Sequence, residues 1–206
     1  MRKVVLAVVL VLMAGGAQAV TLNVVGGQLM GASDVLVGSN LYDVQFLDGT
    51  CIDLYNGCVD YNDFTWGSGN GNKWGPVSNA AAELTQQVLG PFMLLEGGGA
   101  SMNAGSVNGC TSLHPTCYVF TPYWVGPLSI HDPSLNVFAW RNEYRSGGGF
   151  NNTSGGVVAP GASPDSGYWQ NGVYAQWTLV PEPSTALLLS LGLTGLSWSG
   201  GRRNRS

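Results

Sequence analysis

Residues 172–180 read GVYAQWTLV. Val173, Tyr174, Trp177, Thr178 and Val180 are β-branched or aromatic, the types that fit a pleated, half-buried surface, so the segment predicts a strand. Directly after it comes Pro181-Glu182-Pro183. Proline lacks the backbone donor a sheet ladder needs, so the strand ends there and the C-terminal tail hangs from the sheet with little linker.

Working back along the chain, the same chemistry recurs between glycine-rich breaks. Thr21–Val25 stops at Gly26-Gly27, and Asp34–Val37 stops at Gly38. Leu41–Leu47 stops at Asp48-Gly49, a favoured turn pair. Cys117–Val125 is aromatic and β-branched, and Pro122 inside it predicts an edge position or a bulge. Leu135–Tyr144 is a further strand. Asn79–Leu89 (NAAAELTQQVL) differs: strong helix formers follow Ser78 or Asn79 as N-cap, Ala81, Leu84 and Val88 share one face, and Gly90-Pro91 is read as the stop. Glycine-rich stretches at 96–109 and 146–167 read as loops. The expected fold is mainly β, a β-sandwich or curled antiparallel sheet with one short helix. A signal helix at the N-terminus and a transmembrane helix at the C-terminus are expected to flank it.

The ends are of another composition. The chain begins MRKVVLAVVLVLMAGGAQA, with basic Arg2 and Lys3, an apolar run Val4–Ala14 and the small-x-small triplet Ala17-Gln18-Ala19. That order is a secretory signal peptide with cleavage after Ala19, and it names signal peptidase and the Sec machinery as partners. At the other end, Ser184–Gly200 holds six leucines and no charge, and Arg202, Arg203 and Arg205 follow. Seventeen helical residues span about 26 Å, just short of a bilayer's hydrocarbon core. The arginines stay cytoplasmic by the positive-inside rule, which places the intervening body outside the inner membrane. The expected domains are a signal peptide (1–19), an exported β-rich domain (20–180) and a sorting tail (181–206).

The tail, with Pro181-Glu182-Pro183, an apolar stretch and a basic end, resembles the PEP-CTERM sorting signal over its last 26 residues. The resemblance implies recognition at Pro181, Glu182 and Pro183 by an exosortase, a membrane protease-transpeptidase relative. It further implies a Gram-negative host that secretes exopolysaccharide, a transient stay in the inner membrane, and a final place at the cell surface, in a biofilm matrix or outside the cell. Leu22–Cys58 also resembles a subgroup of PEP-CTERM proteins, and that likeness carries no catalytic residue.

Residues 20–180 hold three basic residues, Lys73, Arg141 and Arg145, against eleven acidic ones. Such a surface repels phosphate backbones and anionic lipid, so no nucleic acid is expected as a partner. Twenty aromatics in the same span argue for a packed core rather than disorder. Cys51, Cys58, Cys110 and Cys117 all lie in the exported span, with the spacing C-x6-C occurring twice. Export and an even count favour disulfides. Of three pairings, the local ones, Cys51–Cys58 and Cys110–Cys117, are preferred because each closes a turn. Zinc sites use shorter spacings.

Catalytic machinery is hard to find. His114 and His131 are the only histidines. Ser112, Ser129 and Asp132 lie near them, but triads assemble from separate elements, and no G-x-S-x-G elbow occurs. Asp48, Asp53, Asp60 and Asp63 cluster around the first cysteine pair. They are the carboxylates a secreted hydrolase would use. Asp60-Tyr61-Asn62-Asp63 offers oxygens to calcium without the spacing of a calcium loop. No cofactor or metal is expected, and calcium is the one ion those oxygens suit. Trp66, Trp74, Tyr168 and Trp169 stand in polar, glycine-rich stretches. Exposed there, they would form a platform for the sugar rings of an exopolysaccharide. The leading expectation is a non-catalytic surface or matrix protein, with a carbohydrate-binding module and a hydrolase as alternatives.

Overall fold

The computed structural model describes residues 19–67, 75–95, 103–129, 132–145, 149–158 and 171–181. Its strands are β1 (Thr21–Val25), β2 (Gln28–Val37), β3 (Asn40–Leu47), β4 (Thr116–Ser129), β5 (Asp132–Arg145), β6 (Gly149–Val158) and β7 (Gly172–Leu179). They form one seven-stranded sheet in the order β1-β2-β3-β7-β4-β5-β6. The expectation of a mainly β body holds. The sandwich does not, because the described strands share a single sheet. Nor is the sheet antiparallel throughout, since β4 and β7 run parallel through Tyr118↔Gly172, Val119↔Val173 and Phe120↔Tyr174. The last strand returns to the middle of the sheet, beside the third.

The helical segment is longer than the periodicity predicts. It runs through α2 (Gly75–Glu83), a π segment (Leu84–Leu89) and α3 (Gly90–Leu95), following a one-turn α1 (Cys51–Leu54). Ser78 does not cap it; it sits inside, its hydroxyl donating to the Gly75 carbonyl. Gly90-Pro91 does not stop it either. The buried Asn142 of β5 donates through Nδ2 to the Ala81 carbonyl (2.8 Å) and to Thr85 Oγ1 (2.7 Å), so side chains enter the helical ladder at that turn. The ladder widens, and the Gly90 N–H reaches back five residues to the Thr85 carbonyl. A Cβ at Gly90 would lie 2.9 Å from that oxygen, which accounts for glycine there. Pro91 then falls where the ladder has already shifted, so its missing donor is tolerated.

Val77, Ala80, Ala81, Leu84, Val88, Leu89 and Phe92 of this helix are all buried. Most join Leu29, Val35, Val44, Phe46, Val119, Tyr144, Val173 and Trp177 in the larger core cluster. On the opposite face of the sheet a smaller cluster gathers Cys51, Cys58, Phe64, Phe120, Val137, Ala139 and Tyr174. The segment after β3 therefore covers one face of the sheet and the helix the other. β6 was not foreseen: a run rich in glycine and asparagine reads as loop, yet β5 supplies a partner for it from Arg145↔Gly149 to Val137↔Val158. Non-local pairing outweighs weak local propensity there.

The strand directions give the sheet two unlike ends. β7 runs antiparallel to β3, which is antiparallel to β2, which is antiparallel to β1. The start of β1, the β2–β3 turn, the finish of β7 and, because β4 runs parallel to β7, the finish of β4 and the start of β5 therefore lie together at what we call the exit end. The β1–β2 turn, the segment after β3, the start of β4 and the start of β7 lie at the other, the stapled end. The expected signal helix and transmembrane helix fall on residues outside those described. Among the described residues no helix is long and apolar enough to cross a membrane.

Candidate functional site

The stapled end takes its name from the cysteines. Cys51 meets Cys58 and Cys110 meets Cys117 at disulfide distance, each with Cα atoms 5.8 Å apart, as the twin spacing predicts. The second loop is filled by Asn171, which is 1% exposed. Its Nδ2 donates to the carbonyls of Thr111 (3.1 Å) and Thr116 (2.7 Å), and its Oδ1 accepts from the Thr111 N–H (2.7 Å). Its own carbonyl accepts from Tyr118 N–H (2.9 Å), which starts the parallel ladder of β4 and β7. Nothing in the local sequence marks Asn171 for this role, because its partners lie some sixty positions away. Gly109 enters the same loop at φ +83°, and a Cβ on it would lie 2.5 Å from Val173.

The acidic residues near the first disulfide are engaged as caps. Thr50 Oγ1 donates to Asp53 Oδ2 (2.6 Å) and accepts from the Asp53 N–H (3.2 Å). Asp60 Oδ1 accepts from the Asn62 N–H (2.9 Å), while Asp63 Oδ2 accepts from the N–H groups of Val59 (3.0 Å) and Asp60 (3.1 Å). Asp60-x-x-Asp63 is a reciprocal capping box with aspartate in both roles, a pattern that the sequence displayed. Asp48 is exposed. Among the described residues no three histidine, cysteine or carboxylate side chains converge as a metal site. His114 is half-buried in the second cysteine loop beside exposed Ser112, and His131 lies outside the described residues.

Along β7, β4 is replaced by another partner. Because Tyr118 N–H faces β7, alternation turns the backbone nitrogen of residue 122 the same way. Residue 122 is proline, so the parallel ladder has no donor to continue with, and a bulge follows between Pro122 and Trp124. The bulge that Pro122 predicts is thus observed, in an interior strand. The Ala175 carbonyl, one step past the ladder, accepts instead from the Tyr55 hydroxyl (3.3 Å). The Trp177 carbonyl accepts from Thr65 Oγ1. Gln176 Nε2 donates to the Leu54 carbonyl (3.1 Å). A cleft of about 10 Å³ remains among Tyr55, Phe64, Thr65, Trp66, Pro122, Ala175 and Trp177, room for roughly one water and far less than a sugar ring. The Trp66 indole N–H is buried beside it and, among the described residues, has no acceptor.

Trp66 is therefore placed differently from the expected sugar platform. Its ring centroid is 4.7 Å from that of Tyr42 and 5.6 Å, edge-on, from that of Trp177. Trp74, Tyr168 and Trp169, the other expected platform residues, lie outside the described residues. Burial pushes the Tyr174 hydroxyl well above its ordinary value, and Tyr55 is raised by burial and then by Tyr174. The Tyr174 hydroxyl is buried with no partner among the described residues.

The Tyr42–Trp66–Trp177 cluster lies just below the exit end. Leu179 pairs with Tyr42, and the Val180 N–H donates to the Leu41 carbonyl (2.9 Å). Pro181 is the next residue and is exposed. The sheet thus holds the chain up to the residue before Pro181-Glu182-Pro183, and of these three the structure describes Pro181. Residues 179–203 match the family described as the PEP-CTERM protein-sorting motif. The match begins in the last residue of β7, so the first residues of the sorting segment are also part of the fold. It is consistent with an exosortase substrate, an exported protein held transiently in the membrane before processing. Neither the curated proteins nor the solved structures hold a match to the chain.

Proposed function

We propose that the chain is a non-catalytic surface or extracellular-matrix protein, delivered with its signal peptide (1–19), held by its tail (181–206), and processed by an exosortase that recognises Pro181, Glu182 and Pro183. The β-rich body, residues 20–180, is the cargo that remains. The observation that carries this reading is the sorting-motif match at 179–203, joined to the sheet without a linker. Proline fixes φ and lacks the backbone donor, so Pro181 and Pro183 disfavour continuation of the strand into the motif that a membrane-embedded protease would read.

The carboxylates that would serve a hydrolase cap their own turns, and Trp66 packs into an aromatic cluster at the root of the exit strand. Both arrangements support a structural body over a catalytic one. The test is replacement of Pro181-Glu182-Pro183 by three alanines. The variant precursor should accumulate in the inner membrane with its C-terminal arginines intact, while the native chain loses them. Equal release of both forms would remove the motif from the account.

A further inference from the structure

We propose that the exit end of the sheet rests on the lipid surface of the inner membrane while the precursor is held there, with the stapled end pointing away. The inference rests on the reading above that the tail is membrane-held, and adds to it the orientation of the body and the surface it presents.

Chain length sets the geometry. Three residues, Pro181 to Pro183, separate Val180 from the uncharged stretch that begins at Ser184. Fully extended they reach about 10 Å. At the other terminus five residues, Gly15 to Ala19, separate the apolar run ending at Ala14 from Val20, a reach of about 17 Å. Both connections leave from the same end of the sheet. Thr21 pairs with Ser33, two residues from the rung Val35–Tyr42–Leu179. Three strand spacings, about 14 Å, separate β1 from β7. With β7 tied to β3 as far as Val180, the tail alone keeps the exit end within about 10 Å of the bilayer. Eight residues of β3 put the stapled end about 26 Å farther out.

Three of the elements at the exit end have uncharged tips. The β2–β3 turn and its flanks, Leu36 to Leu41, carry no charge, and neither do residues 19–25 or 178–181. Leu36 is 47% and Leu179 52% exposed at this end. The acidic residues of this half are Asp34 and Asp43, set back from the tip and half-buried, where Asp43 accepts from the Asp34 N–H; Glu83, which accepts from the Gln87 amide that also bonds the Leu36 carbonyl; and Asp132, at the start of β5 beside the finish of β4. Asp48 and Asp53 follow β3 at the opposite end, where Arg145 also lies, paired with Thr116.

The experiment uses the full-length precursor with Pro181-Glu182-Pro183 replaced by alanines, reconstituted in vesicles of phosphatidylethanolamine and phosphatidylglycerol. A benzophenone side chain is installed at Ser39, or separately at Leu113 of the stapled end; both positions are exposed. Non-reducing mapping first establishes that both disulfides are formed. Illumination should give at least five-fold more lipid adduct from position 39 than from position 113. A glycine-serine insertion of twenty residues after Val180, in a chain from which residues 1–19 have been cleaved, should erase most of that ratio. Co-flotation with equal or reversed adduct yields overturns the orientation and leaves exosortase sorting untouched. A precursor that does not float with the vesicles overturns both.

Discussion

The two ends of the sheet solve opposite problems. At the stapled end, two disulfides and the buried amide of Asn171 hold the chain where it enters β4 and β7. At the exit end the elements are a short turn, the start of an edge strand, the finish of β4 with the start of β5, and a strand that simply stops at a proline. Covalent reinforcement sits where loops must be closed. The exit end depends on strand pairing, on the Gln87 amide that bonds both backbone groups of Leu36, and on aromatic contacts among Tyr42, Trp66 and Trp177 and between Trp124 and Phe138. A segment destined for a protease has to stay accessible, and a terminus held by pairing alone can fray where a cross-linked loop cannot.

The contrast is sharpest for Asn171. Replacement by alanine leaves the Thr111 N–H and the Thr111 and Thr116 carbonyls without their partner. It should cost about 3 kcal/mol, read as a lower urea midpoint of the secreted form. Removing either disulfide as a Cys-to-Ala pair should cost about 2.5 kcal/mol. Costs under about 0.5 kcal/mol for these changes would erase the difference between the ends.

Tyr55 and Tyr174 link the halves, because Tyr55, inside the first disulfide loop, packs edge-on against Tyr174 of β7 and donates to the Ala175 carbonyl. Burial raises both hydroxyls above their ordinary value of 10.0. The folded state therefore holds these protons more tightly than the unfolded chain. Stability should be level below pH about 10 and fall as pH rises further. Tyr174→Phe should flatten that alkaline loss. It should also leave neutral-pH stability unchanged or slightly higher, because the hydroxyl it removes is buried without a partner among the described residues. A steeper alkaline loss in the variant would contradict the assignment.

Smaller effects are expected toward the exit. Thr65→Val takes the donor from the Trp177 carbonyl and should cost about 1 kcal/mol. Ser39→Ala, in the exposed β2–β3 turn, should stay within about 0.5 kcal/mol by the same urea measurement.

Much of this was legible in the chain. β1 appears over the same residues that its sequence pattern predicts, and β3, β5 and β7 within a few residues, because each is a run of β-branched and aromatic residues closed by glycine or proline. Pro122 announced a bulge. What local pattern could not carry was partnership at long range. β6 is a strand because β5 lies beside it, and Asn171 matters because Thr111 and Thr116 come to it. The helix passes Gly90-Pro91 because Asn142, from β5, widens its ladder one turn earlier. Trp66 looked like a platform in a polar stretch, yet the same stretch folds back on β7 and brings the indole against Tyr42. The sorting tail was readable because its recognition depends on short consecutive features, Pro-Glu-Pro, an uncharged stretch and arginines, with no need of a tertiary fold.

The central claim is that both ends are addresses and the acidic, disulfide-closed middle is what remains. Intact-mass analysis of the secreted form, without reduction, tests it most directly. The account predicts a chain that begins at Val20, lacks Arg202 to Arg205, and is four hydrogens lighter than the fully reduced polypeptide. A mass that includes those arginines, or four free thiols, would contradict it.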